Sequence, residues 1–127
     1  MIKPIIIRKS KIPNLFSFGD KITYGITFFP FIFITDFNKI SKESVTPYYN
    51  MDEVINHETI HFQQTIETGV VGFYLIYLIE FIYKLIKHKN IGKAYHRISF
   101  EREAYKHMKQ LNYISYRKRY SWLKYIL

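Results

Sequence analysis

Two histidines stand four residues apart in His57-Glu58-Thr59-Ile60-His61. On an α-helix that interval puts both side chains on one face, one turn apart, so the two imidazoles can reach a single metal ion at about 2.0–2.1 Å. Glu58 points about 100° around the helix from His57, too far to be a third ligand from the same turn. It can still touch a water held by the metal. Zinc lowers the pKa of such a water toward neutrality, and a neighbouring carboxylate can take its proton as the water attacks a carbonyl. The spacing therefore offers two zinc ligands, His57 and His61, and a general base and acid, Glu58.

A catalytic zinc keeps three protein ligands and one open position. The chain has no Cys, which removes disulfides, thiolate metal sites and thiol nucleophiles together. The third ligand must come from the few remaining His, Asp and Glu residues: 5 His and 10 acidic residues in 127. Four candidates are Glu80, His96, Glu101 and Glu103. In Phe100-Glu101-Arg102-Glu103-Ala104-Tyr105 the apolar stripe is Phe100, Ala104, Met108 and Leu111. Glu101 lies roughly 65° from the centre of that stripe and Glu103 roughly 95° on the other side. Glu101 is the better placed to turn inward, and Glu103 is expected to meet solvent, Lys106 or His107. Glu80 is the rival. If the helices on either side of Gly69 form an antiparallel hairpin, Glu80 comes level with the two histidines. There it would be a ligand, or would accept a hydrogen bond from a ligand His.

The elements that position these groups can be read from the same sequence. Up to about residue 49 the chain is β-rich. Residues 5–7 read as a short strand, residues 11–18 as edge or loop around Pro13 and Gly19, and residues 22–35 as the main strand region, interrupted at Pro30. Residues 36–49 read as loop. Asn50 and Glu53 form a capping box that opens a helix to about Glu67, stopped by Gly69. Residues 70–88 form a second helix that is apolar nearly all round. Glu80, Lys84 and its marginal length argue against a plain membrane span, so it is expected to be buried in the protein. A basic loop at residues 88–93 leads to a third helix capped by Ser99 and running from Phe100 to about Leu111. The tail, residues 113–127, reads as a short basic and aromatic helix.

The formal net charge is +9, with 12 Tyr and 11 Phe. Lys84, Lys87, Lys89, Lys93 and Arg97 cluster after the middle, and Arg117, Lys118, Arg119 and Lys124 near the end. Such a balance favours contact with phosphates or anionic lipid and leaves the fold undetermined. The short apolar run at residues 5–7 is not a signal h-region, so a cytoplasmic location is expected, and the apolar helix and basic tail are the candidates for peripheral contact with anionic lipid. The Tyr- and Lys/Arg-rich tail carries no nucleic-acid recognition motif, and nucleic acid is not the expected partner.

The pairing of His57-Glu58-x-x-His61 with a hydrophobic helix and then Glu101-Arg102-Glu103-Ala104 resembles the gluzincin metallopeptidases. The likeness is to the membrane-linked branch with the prenyl-protein endopeptidases and β-lactam-sensor peptidases, and to small bacterial proteins with a similar His-Glu-x-x-His and Phe-Glu-Arg-Glu-Ala-Tyr pair. It covers about residues 50–112. The resemblance implies Glu101 as the third zinc ligand, since in those peptidases the Glu three residues before the Ala fills that role. The families usually have Asp after the Ala; this chain has Tyr105, which is read as an oxyanion donor. The fold group also implies an edge strand above the metal helix that binds substrate backbone by strand addition, here residues 26–35.

The expectation is thus a single α+β domain over residues 1–127. A short N-terminal antiparallel sheet (1–49) packs on three or four helices (50–127) in a minimal zincin-like fold. Zn²⁺ is held by His57, His61 and Glu101, with Glu58 and Tyr105 catalytic and a peptide or protein as substrate. The alternatives are a zinc-binding pseudoenzyme or a basic protein that binds membrane or nucleic acid.

Overall fold

The computed structural model describes residues 3–16, 23–37 and 50–126. It is a mixed α+β structure. Three strands, β1 (Ile5–Ile7), β2 (Gly25–Phe28) and β3 (Phe31–Ile34), form one sheet in the order β1-β3-β2. The sheet is not wholly antiparallel. β2 and β3 pair antiparallel, as a tight hairpin over the cis Phe29–Pro30 bond requires, while β1 pairs parallel with β3. Pro30 thus divides the expected 22–35 strand into two. Residues 38–49, expected as loop, fall outside the described residues. A 3₁₀ turn, Pro13–Phe16, follows β1.

Alternation along β3 decides which face of the sheet is covered. Ile32 and Ile34 are fully buried and pack on Val54 and Phe62 of helix α1 (Met51–Thr68). Phe62 also stacks on Phe29, ring centres 5.1 Å apart. The expected capping box is formed: Asn50 Oδ1 accepts from the Glu53 amide at 2.8 Å, and Glu53 Oε1 accepts from the Asn50 amide at 3.1 Å. Gly69, at φ +73°, ends α1 in a conformation that L side chains rarely adopt.

Helix α2 (Val70–His88) does not fold back as the second arm of a hairpin; its axis is bent 109° from that of α1. It is also not centrally buried. Phe73, Ile76, Tyr77 and Phe81 face inward onto Ile98, Phe100 and Trp122, while the opposite side lies exposed. No single described helix is long and apolar enough to cross a membrane.

The stretch read as a basic loop is helical from Ile91: α3 (Ile91–Arg97) begins with Asn90 Oδ1 accepting from the Lys93 amide. Helix α4 (Ser99–His107) is shorter than its apolar stripe suggested. Its cap position falls on Ile98, and Ser99, expected as the cap, is the first helical residue. The α4 C-terminus is fixed from across the core. Asn56 Nδ2 on α1 lies 2.8–3.1 Å from the carbonyls of His107, Met108 and Gln110, at and just beyond the end of the helix. This tie, with Ile60 packed on Ala104 and Tyr113, sets α4 against the histidine face of α1. A single turn, α5 (Tyr113–Tyr116), and a 3₁₀ segment, Ser121–Tyr125, complete the described chain.

Candidate metal centre

His57, Glu58 and His61 are all buried on α1, facing the sheet edge on one side and α4 on the other. Among the described residues they form a group whose donor atoms, one from each, lie within 4.8 Å of one another, and it could hold a metal ion. Glu101 enters the same group from α4. Its Oε1 lies 3.0 Å from Nε2 of His57 and 3.0 Å from Nε2 of His61, and the two Nε2 atoms are 3.1 Å apart. Three donors thus converge as a nearly equilateral triangle. A tetrahedral ion with bonds of about 2.0–2.1 Å needs edges of roughly 3.3–3.4 Å, so an expansion of about 0.3 Å seats it.

The hydrogen bonds around His61 fix its tautomer. Gln64 Nε2 donates to the Phe100 carbonyl at 3.1 Å and to Glu103 Oε1 at 3.0 Å, both pure acceptors. The Gln64 oxygen must therefore face His61, 2.8 Å from Nδ1, and Nδ1 carries a proton. In the neutral ring Nε2 then presents a lone pair to the Glu101 carboxylate. Two acceptors 3.0 Å apart repel unless a cation or a proton lies between them. Burial works against a charge on His61, but Glu101 above all, with Glu58 and Gln64, lifts its pKa to about 9. Burial likewise acts to raise Glu101, and the two histidines overcome it, holding the carboxyl well below its usual range. A cation in the triangle satisfies the same demand without a proton. His57 is held differently. Among the described residues its Nδ1 is buried without a hydrogen-bond partner, and its ring packs edge-on to Tyr105 at 4.4 Å.

Glu58 stands beside the triangle, under β2. Thr27 Oγ1 donates to its backbone carbonyl at 3.1 Å and to Oε2 at 3.3 Å. Burial pushes the Glu58 carboxyl up, opposed by the nearby histidines. The approach of strand to helix requires Gly25: a Cβ there would lie 2.9 Å from Val54 Cγ1 and 3.1 Å from Glu58 Cγ.

The sequence-derived candidates thus separate. His57, His61 and Glu101 come together, with Glu58 adjacent. Tyr105 lies against His57, its hydroxyl 3.0 Å from that of Tyr95. Glu80 does not reach the histidines, because the 109° bend carries it elsewhere. Its carboxylate accepts from the backbone amide and hydroxyl of Ser99, capping the α4 N-terminus from outside the helix. His96 is exposed on α3, its ring 5.0 Å from Tyr105. Glu103 reverses its expectation and is fully buried. It accepts from Gln64, Tyr113 and Arg117, and Arg117 also grips Glu67 at 2.7 and 3.1 Å. Sequence periodicity hid this because the partners of Glu103 lie 10, 14 and 39 residues away, beyond the reach of its own helix. Tyr77 was also missed. Its hydroxyl donates to Glu101 Oε2 at 2.6 Å, a role signalled only by a polar tip on the inward face of an apolar helix.

No family model, curated protein or solved structure matches the chain.

Proposed function

We propose that this chain is a zinc-dependent metallopeptidase with a minimal zincin-like fold. The observation that carries the reading is the triangle of His57 Nε2, His61 Nε2 and Glu101 Oε1 at 3.0–3.1 Å with the buried Glu58 carboxylate beside it. Two imidazoles and one carboxylate, with Glu58 the one further donor beside them among the described residues, match the ligand set of a hydrolytic zinc site rather than a closed structural one. When bound, the ion supplies Lewis acidity, bringing the pKa of water to about 7 and polarising a carbonyl.

The protein residues supply the rest. His57, His61 and Glu101 hold the ion, and Tyr77 orients Glu101 through Oε2. Thr27 engages Oε2 of Glu58, which leaves Oε1 to take a proton and to return it to the leaving amine. The raised pKa of Glu58 suits a group that must both accept and donate. Tyr105, packed on His57, is the candidate oxyanion donor. Among the described residues β2 is an edge strand, since β3 pairs only one of its sides. The Thr35 amide bonds the Tyr24 carbonyl, so by alternation the backbone groups of Gly25 and Thr27 turn away from β3; the Thr27 carbonyl there accepts from the Tyr74 hydroxyl at 3.4 Å, a bond an added strand would replace. An extended peptide added there would run past Glu58, which supports a peptide or protein substrate.

The test is metal content and hydrolysis of unfolded casein by protein purified without chelators. Wild type should hold about one zinc per chain, and His57→Ala and Glu101→Ala should lose it. Glu58→Gln should keep the metal and lose turnover. Zinc-free wild type, or an active Glu58→Gln protein, would sink the reading.

A further inference from the structure

Helix α2 has two faces that differ more than its sequence suggests. Its inward side carries every acidic and metal-site contact: Glu80 caps α4, Tyr77 holds Glu101, and Lys84 is buried with Nζ 3.4 Å from the Ile126 carbonyl. Its outward side is Val71, Leu75, Leu78, Ile79, Ile82 and Ile86, all between 48% and 72% exposed. At 100° per residue these six fall within a single arc of about 100°, and at 1.5 Å per residue they extend roughly 23 Å. No polar side chain interrupts the strip. Continuous apolar surface of this length marks a docking site, since isolated exposed apolar residues are ordinary but a stripe is not.

The charges near the strip identify its partner. Lys87 is exposed on the last turn of α2, and Lys93 and Arg97 are exposed on α3, which begins three residues after α2 and packs against it. From residue 70 to residue 98 the only acidic residue is Glu80, turned inward on Ser99. A second copy of the chain, itself at +9, would cover the apolar strip while adding like charge. A surface that offers hydrocarbon and phosphate together matches both features. We infer that the outer face of α2 docks on an anionic lipid bilayer, lying in the headgroup plane with Leu75, Ile79, Ile82 and Ile86 inserted and Lys87, Lys93 and Arg97 among the phosphates. The helix would then hold the metal site at the membrane surface through its opposite face. This inference stands independently of the peptidase reading.

The experiment is co-flotation of the full chain with vesicles of phosphatidylcholine alone or with about one-third phosphatidylglycerol, at low and high salt. Binding is expected to the anionic vesicles, weakened steeply by salt. Leu75→Glu/Ile79→Glu should abolish it without changing helix content by circular dichroism. Lys87→Glu/Lys93→Glu should weaken it on the order of tenfold or more, with the apolar face intact. Absence of binding to anionic vesicles at low salt overturns the proposal. So does a concentration-dependent dimer by ultracentrifugation that Leu75→Glu/Ile79→Glu dissociates while vesicle binding persists unchanged.

Discussion

Nδ1 of His61 donates to Oε1 of Gln64, 2.8 Å away and three residues further along the same helix. The amide cannot turn over, because its nitrogen is bound to the Phe100 carbonyl and to Glu103. One side chain thus decides which nitrogen of His61 can face a metal. Replacing Gln64 with Leu removes that decision and leaves Glu103 with one donor fewer. Metal affinity is expected to fall about 10–100-fold, measured by competition with a chromophoric chelator. Unchanged affinity in a folded Gln64→Leu protein would show that His61 is oriented by something else.

Protons and metal compete at His61. Below its pKa of about 9 the metal-free ring carries a proton on Nε2, which an ion must displace. Apparent metal affinity should therefore rise with pH, approaching about tenfold per unit, and level off near pH 9. The stability of the metal-free protein runs the other way. A pKa raised from 6.5 contributes stability that is full below pH 6.5 and lost as pH rises through about 9. Denaturant titrations should show stability falling across this window without metal and nearly level with saturating metal, because the gain in affinity offsets the loss; the same fall with and without metal would contradict the linkage.

Arg117 joins Glu67 and Glu103 inside the protein, with its own side chain and both carboxylates nearly inaccessible. Arg117→Met leaves two buried carboxylates without their cation and should cost about 3–5 kcal/mol of unfolding free energy. Burial acts to raise the Glu103 carboxyl, but hydrogen bonds from Arg117, Tyr113 and Gln64 hold it below the usual 4.5. Its contribution is present above pH 4.5 and lost as pH falls through the depressed value. Adding Glu103→Gln to Arg117→Met should restore part of the loss. An undiminished double variant would mean that the pairing carries little stability.

Gly25 lets β2 approach α1. Gly25→Ala should cost about 1–3 kcal/mol through overpacking, since the added Cβ meets Val54 Cγ1 at 2.9 Å and Ile34 Cδ1 at 3.2 Å. In a Val54→Ala background the penalty should shrink, a coupling that a double-mutant thermal-melt cycle reads directly. Additive effects would place the conflict elsewhere.

Much of the molecule is local, and that part was legible. The Asn50–Glu53 box, the Gly69 stop and the four-residue interval between His57 and His61 each depend on a few neighbouring residues. They fix helix α1 and the side on which its histidines lie. The bounds of α2, Val70–His88, followed from the same kind of signal.

What stayed hidden depended on groups distant in sequence. Whether Glu80 or Glu101 meets the histidines turns on the angle between α1 and α2, and residues 51–88 specify no angle until Phe73 and Phe81 find Ile98, Phe100 and Trp122. Glu103 reads as a solvent-facing carboxylate because Arg117, Tyr113 and Gln64 are not its neighbours in the chain. The apolar roundness of α2 reads as burial, but this small core covers only one of its sides. Sequence alone determined two histidines and a carboxylate on one helix. The packing of α4 against α1, held by Asn56 at its far end, decided that Glu101 stands 3.0 Å from both histidines, because only tertiary contacts fix the relative placement of two rigid helices.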